Sequence, residues 1–355
     1  MFAYFFIFIV ASLLGYLSQT KNKLANNIFI ILTITVLTLF AGLRDVSVGT
    51  DTRNYVGSFQ SERVAQNNAF ETSSSLETGY LILEKQASEL SDGYWVLLTL
   101  IMFIAISAYL YTINKLSKLN HVSIFLLLTL GSYLFIFNGA RQGMAAAIYS
   151  IAIISLLERN FLRYILWIIL ASFFHKTVLI MIPLYFILNK VVSFKNLIIG
   201  FVSIVFIFYT MSSILHVFPF LGLDKYSVYD NRGASGGNLL LVFYLVNFLF
   251  LFFIKKYINH NEKYEYNTFL NLTYLNLLIY IVVILFELDV NLLRFSLYFS
   301  MGLILIWPII LTCNKLRSIR MGLYIVFWVM HLIFSYVYIA KMSNINPYLL
   351  NMSIF

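Results

Sequence analysis

Charge is scarce in this chain. Asp, Glu, Lys and Arg make up 11% of 355 residues, whereas 61% are hydrophobic. A soluble domain carries about 25% charged and roughly 45–50% apolar residues, so an ordinary water-soluble enzyme and a disordered chain are both excluded. Cysteine is nearly absent: Cys313 alone, beside a Lys/Arg-rich loop, excludes a disulfide framework and a Cys-based metal site. No Walker A or HExxH sequence occurs, leaving ATP-driven transport and zinc hydrolysis unsupported. Acidic residues are outnumbered 15 to 24. The basic residues are scattered between apolar runs and form no patch, so the net charge of +9 does not signal nucleic-acid binding.

What fills the chain is long apolar runs. A membrane helix needs about 20 such residues. Spans are expected near 2–18, 27–43, 94–113, 121–138, 141–157, 161–174, 176–189, 197–218, 238–255, 267–286, 291–312 and 320–340. Period-two alternation is absent and the runs are too long for barrel strands, so helices are predicted. The N-terminus has no basic n-region and no small-residue cleavage signal, so it reads as the first span. The fold class is an all-α polytopic membrane protein with about twelve transmembrane or half-spanning helices, in a single membrane domain over 1–355.

The segment 161–189 decides the topology. Its ionisable residues are Arg163, His175 and Lys176. As one helix it would carry two of them near mid-membrane. As a hairpin of two short helices it turns at His175-Lys176, and the basic loops at 19–26, 114–120, 158–163, 190–196, 255–266 and 313–320 then share one side, as the positive-inside rule requires. The opposite face receives both termini, a long loop at 44–93, a shorter one at 219–237, and turns near 139–141, 175–176 and 287–291. Within the long loop, Tyr80, Leu83, Ala87 and Leu90 share a helical face opposite Glu84, Lys85, Ser88 and Glu89, a pattern suited to an amphipathic helix on the membrane surface. RGASGG (232–237) reads as a flexible lid.

On this topology ten of fourteen Lys lie inside, but six of ten Arg lie outside: Arg44, Arg53, Arg63, Arg141, Arg232 and Arg294. Topology alone accounts for the inside lysines. Arg is the residue for bidentate phosphate recognition, so an outward, Arg-lined cavity suggests a lipid substrate bearing phosphate or pyrophosphate.

Four segments carry the candidate chemistry. In GLRDVSVGTDTRNY (42–55), Arg44 is either a helix-end interfacial cation or a phosphate ligand. Asp51 either caps a short helix through Tyr55 and Phe59 or orients substrate. In FNGARQGMAAAIYS (137–150), Arg141 opens a span, where a cation opposes both the helix dipole and the positive-inside rule. An anion should compensate it, either a ligand or a protein carboxylate such as Asp45 or Glu287. Gly143, Ala146 and Ala147 form a small face for close approach.

In FFHKTVLIMIPLY (173–185), His175 is an interfacial residue or a proton-transfer group, since an ionisable residue within the membrane is a functional suspect. In FELDVNLLRFSLY (286–298), Glu287 and Asp289 are expected to pair with Arg294 rather than to bind a metal. His121, His216, His260 and His331 are isolated and read as interfacial or core residues.

The ordered series GLRDVSVGTDTRNY, RQGMAAAIYS, FFHKTVLIMIPLY and a late span with Arg294 and Tyr298 resembles the EpsG-like/Wzy group of bacterial polysaccharide polymerases. The likeness runs through nearly the whole chain. It implies a GT-C-like glycosyltransferase of the bacterial inner membrane, acting at its periplasmic face on undecaprenyl-diphosphate-linked oligosaccharides. No cofactor, metal or nucleic acid is called for. Membrane lipid and a chain-length regulator protein are the expected partners. In the reaction so implied, Arg141 and Arg294, with Arg44, offset the charge of the leaving diphosphate. His175 is the first choice of base and Asp51 the second. Substrate contacts are expected from Arg44, Asp45, Tyr55, Gln142, Lys176, Arg232 and Tyr298. An O-antigen ligase, a non-enzymatic lipid-linked oligosaccharide flippase and, more weakly, an acyltransferase remain as rival readings.

Overall fold

A computed structural model describes residues 1–68, 77–217 and 237–354. RGASGG, Arg232 with it, lies outside them except for Gly237. The described residues form fifteen α-helices: α1 (Phe2–Leu17), α2 (Lys23–Gly42), α3 (Thr52–Asn68), α4 (Thr78–Leu90), α5 (Trp95–Leu116), α6 (Asn120–Thr129), α7 (Ser132–Phe135), α8 (Ala140–Leu157), α9 (Phe161–Ser172), α10 (Met181–Leu188), α11 (Phe194–Val217), α12 (Asn238–Ile254), α13 (Lys263–Leu285), α14 (Ser300–Thr312) and α15 (Arg320–Val337). No strand occurs among them, only one isolated antiparallel bridge between Arg44 and Leu350. Among the described residues seven helical stretches, some joining an α-helix to an adjacent 3-10 segment, are long and apolar enough to cross a membrane. Five further apolar helices, including α1, α6 and α9, are shorter, at 10–17 residues.

The chain divides into two compact units, Met1–Ile182 with Ile319–Phe355, and Pro183–Ser318. In the first, α5 is the central post, packed on α2 and α8, and α9 leans on α8. Gly42 lets α2 and α5 meet, because a Cβ there would overlap Thr99. Gly143, on the small face of α8, does the same against Ile136. The expected single span 121–138 is broken: Gly131 adopts φ +84, open to glycine without penalty, and splits it into α6 and α7.

The segment 161–189 folds back on itself. The Tyr164 hydroxyl donates to the Met181 carbonyl at 2.7 Å. In a continuous helix those residues would stand about 25 Å apart. The reversal falls at 173–175, followed by a 3-10 turn Lys176–Ile180.

The loops of the first unit gather at two ends. At one, Gln19 donates to the Lys118 carbonyl at 2.9 Å and Asn120 to the Ser18 hydroxyl at 3.1 Å. At the other, Thr50 N–H donates to Asn138 Oδ1 at 2.8 Å and Asn138 Nδ2 to the Ser343 carbonyl at 2.6 Å. Two of the loops placed on one side by the lysine distribution, 19–26 and 114–120, thus meet at one end.

In the second unit α13 is the centre, against α11, α12, α14 and a long 3-10 segment Val290–Phe299. That segment replaces the first half of the helix expected over 291–312.

Candidate functional site

The site is built where four segments of the first unit meet. The floor is the loop after α2. Arg44 is 1% exposed. Its Nη1 donates to the Ala41 carbonyl at 2.6 Å, its Nε and Nη2 reach Thr52 Oγ1 at 3.4 and 3.3 Å, and its Cζ lies 4.3 Å from the Phe137 ring centre. Among the described residues it has no carboxylate partner. Burial lowers its pKa to about 10, opposed by nearby tyrosines, so it is a cation at neutral pH. Arg44 is therefore committed to the protein interior rather than presented to a ligand.

The C-terminal tail closes over this floor. Asp45 N–H donates to the Leu349 carbonyl and Asn351 N–H to that of Leu43, each at 2.9 Å. The Tyr348 hydroxyl donates to the Phe40 carbonyl at 2.5 Å, and the two rings stack at 4.2 Å. The Asp45 carboxylate accepts from the Ser47 hydroxyl and N–H at 2.6 and 2.9 Å, and these bonds hold it below the usual carboxylate range. Asp51 sits just before α3, where its carbonyl accepts from Asn54 and Tyr55.

Tyr55 joins α3 to α8. Its hydroxyl accepts the Ala140 N–H at 2.9 Å, satisfying one of the amides a helix start leaves without an intrahelical partner. Arg141 is thereby fixed at the opening of α8, with Gln142 buried behind it at 7% exposure.

The anion that compensates Arg141 is Glu77. Arg141 Nη1 lies 2.5 Å from Glu77 Oε2, and His175 Nδ1 lies 3.4 Å from Glu77 Oε1. The side chain of Glu77 is 1% exposed, that of His175 12% and that of Arg141 26%. One buried carboxylate thus holds two sequence-selected candidates, one on each oxygen. A buried carboxylate without partners would cost several kcal/mol. Here both oxygens are engaged, and the Arg141 side chain keeps partial exposure.

Glu77 reaches this position because α4 docks on the hairpin turn. Gly79 N–H donates to the Phe173 carbonyl at 2.9 Å, and a Cβ on Gly79 would stand 2.7 Å from that oxygen. The buried face of α4 is Tyr80, Leu83, Glu84, Ala87 and Ser88. Glu84 and Ser88, expected on the polar side, are inside, and Leu90 is 70% exposed. The face packs on α3 and α5. This corrects the reading of α4 as a helix with a fully polar back. Tyr80, 1% exposed, lies 6.0 Å from the Tyr55 ring and 6.0 Å from Arg141 Cζ.

Arg141, His175 and Lys176, the last opening the 3-10 turn, therefore join Tyr55 and Gln142 around α8. Arg294 and Tyr298 belong to the second unit, in the 3-10 segment. Tyr298 is 1% exposed. The expected pairing of Arg294 with the acidic turn does not form: Asp289 accepts instead from the N–H and Nδ2 of Asn291, at 2.7 and 2.9 Å, and caps the segment. No group of three His, Cys, Asp or Glu among the described residues is placed to hold a metal.

Sequence reasoning missed Glu77. The signal was present: it lies one helical turn before Tyr80 on the face continued by Glu84 and Ala87, in a loop assigned to the same side as Arg141. The docking of the tail 343–351 left no sequence signal.

Comparison with known proteins agrees with the resemblance. The EpsG family profile matches residues 27–350. The Amylovoran biosynthesis protein AmsC of Erwinia amylovora is 29% identical over 195 residues, covering 52% of this chain and 51% of that protein. The chain thus spans about half the length of the curated relative it matches. No solved structure matches it. With a family match over most of its length and seven helices able to cross a membrane, this multi-pass helical membrane protein belongs to the EpsG family.

Proposed function

We propose that this chain is a glycosyltransferase that polymerises lipid-linked oligosaccharide repeat units. It moves a growing glycan from undecaprenyl diphosphate to a hydroxyl of an incoming undecaprenyl-diphosphate-linked unit. The observation that carries this reading is the shared carboxylate: Glu77 joins a proton-transfer candidate, His175, to a phosphate-recognition candidate, Arg141. Membership of the EpsG family and a relative named for amylovoran biosynthesis support a biosynthetic role rather than transport.

In this mechanism Glu77 orients His175 through Nδ1, and Nε2 takes the acceptor proton, as a carboxylate orients an imidazole base. The acceptor oxygen bonds to the anomeric carbon as the bond to the diphosphate oxygen breaks. Undecaprenyl diphosphate leaves with the electron pair. The Arg141 guanidinium, preorganised by Glu77, meets the charge that develops on it. Arg44, through Thr52 and Phe137, positions the loop beneath. Arg294 is given a share in holding the diphosphate by its motif.

The protein is taken to lie in the inner membrane with about twelve full or half spans, α9 and α10 among the half spans. The site end faces the periplasm, and a chain-length regulator is its expected partner.

Polymerisation with purified lipid-linked repeat units tests the reading. Arg141→Ala should abolish polymer with the protein still membrane-inserted, and Arg141→Lys should also be poor, because a point charge does not replace a bidentate fork. Normal polymer from Arg141→Lys would remove the bidentate role. In a deletion strain, glycan carrying a single repeat unit supports the polymerase, and its complete absence supports the ligase or flippase.

A further inference from the structure

The second unit contains a site that the glycosyl-transfer reading does not use. A cavity of about 580 Å³ lies between the end of α10, the end of α12 and the start of α13. Lys190, Lys255, Lys256, Lys263 and His260 contribute to its wall, and no Asp or Glu does. Among the described residues none of the four lysines pairs with a carboxylate.

The wall is built rather than incidental. Lys255 Nζ donates to the Val192 carbonyl at 2.8 Å, Asn271 Nδ2 to the Lys190 carbonyl at 2.7 Å, and the Tyr264 hydroxyl to Asn189 Oδ1 at 2.6 Å. These bonds hold three chain segments around one concavity. Four ammonium groups in the wall of one cavity repel one another, and salt screens charges fully only beyond the Debye length of about 8 Å. An anion relieves that repulsion.

The surroundings select the kind of anion. Phe252 and Val191 line the cavity, Val191 is 62% exposed, and next to Phe252 on α12 stands Phe253, 67% exposed. Charged polar space thus adjoins apolar surface at the ends of membrane-length helices. Lysine-rich helix ends are also where the positive-inside rule puts the cytoplasmic leaflet and its anionic lipids.

We propose that this cavity binds the phosphate headgroup of an anionic phospholipid, with the acyl chains against Val191 and the exposed face of α12. Lys190, Lys256 and Lys263 contact the phosphate, while Lys255 is held by Val192 and shapes the wall.

The test is the thermal unfolding of the full-length protein in detergent, titrated with phosphatidylglycerol, phosphatidylcholine or inorganic phosphate. The wild type should be stabilised by phosphatidylglycerol and by neither of the others. Lys190→Gln/Lys256→Gln/Lys263→Gln should need roughly a hundredfold more phosphatidylglycerol for the same shift, since each basic group near an anionic lipid surface counts for about 1 kcal/mol. If the triple variant does not fold, Lys256→Gln alone should show a loss of about fivefold. Equal stabilisation by phosphatidylcholine, or an unchanged response in the variant that folds, overturns the proposal. Reproduction of the shift by inorganic phosphate overturns its lipid part and leaves a soluble-anion site.

Discussion

Gly79 and Phe173 meet backbone to backbone: the Gly79 N–H donates to the Phe173 carbonyl at 2.9 Å, and no Cβ fits between them. This contact ties the start of α4 to the turn that carries His175, and so sets the distance from Glu77 to His175.

Gly79→Ala places a methyl 2.7 Å from the Phe173 oxygen. Alanine favours a helix over glycine by about 1 kcal/mol, but overpacking against backbone costs about 1–3 kcal/mol, so the clash wins. Turnover should fall while the protein still inserts. Wild-type turnover would mean that the α4 contact does not set the site.

Glu77→Gln keeps the shape and removes the charge. Its amide cannot satisfy both Arg141 and His175, because one end donates where a cation or N–H already points. Stability should drop by about 1–3 kcal/mol, discounted because Arg141 is partly open to solvent, and turnover by about tenfold or more. Thermal unfolding and polymerisation of the purified protein report the two effects separately. A change in stability alone would limit Glu77 to a structural role.

His175→Ala should reduce turnover by about 10²–10⁴-fold, the usual scale for loss of a general base, with donor binding retained. His175→Gln should keep partial activity if hydrogen bonding is the whole role, and Lys176→Ala should be milder than either. Near-normal turnover of His175→Ala would return His175 to the interface and move the search for a base to Asp51.

Arg44→Ala removes a fully buried side chain, its bonds to Ala41 and Thr52 and its contact with Phe137. A loss of about 2–4 kcal/mol follows from the cavity and the stranded acceptors. The tail 343–351 should then detach from the 43–50 loop and become open to protease. An intact, protected tail in Arg44→Ala would show that the backbone pairs with Leu43 and Asp45 and the Tyr348 contacts hold the tail without the Arg44 side chain.

Much of the fold was legible because it follows from one-dimensional physics. Long apolar runs dictate membrane helices, and lysine placement put the 19–26 and 114–120 loops at one end. The break at His175-Lys176 was readable because two ionisable groups in one long helix conflict with the membrane interior. The break at Gly131 and the 3-10 segment at 290–299 were not, because each lies inside a run long enough to read as one helix.

For the site, the sequence by itself determined which cations needed explaining. Arg141 sits where the dipole and the loop charge both disfavour it, and that mismatch required an anion. Only the tertiary structure decided which anion: Glu77 lies 64 residues away in sequence, and its choice over Asp45 depends on α4 docking against the Phe173 turn. The same holds for Arg44. Its sequence position suggested a helix-end cation facing outward, but the tail, three hundred residues later, covers it. Which polar group ends up buried is fixed by the surfaces that distant segments bring to it, and such contacts leave no periodicity or charge pattern along the chain.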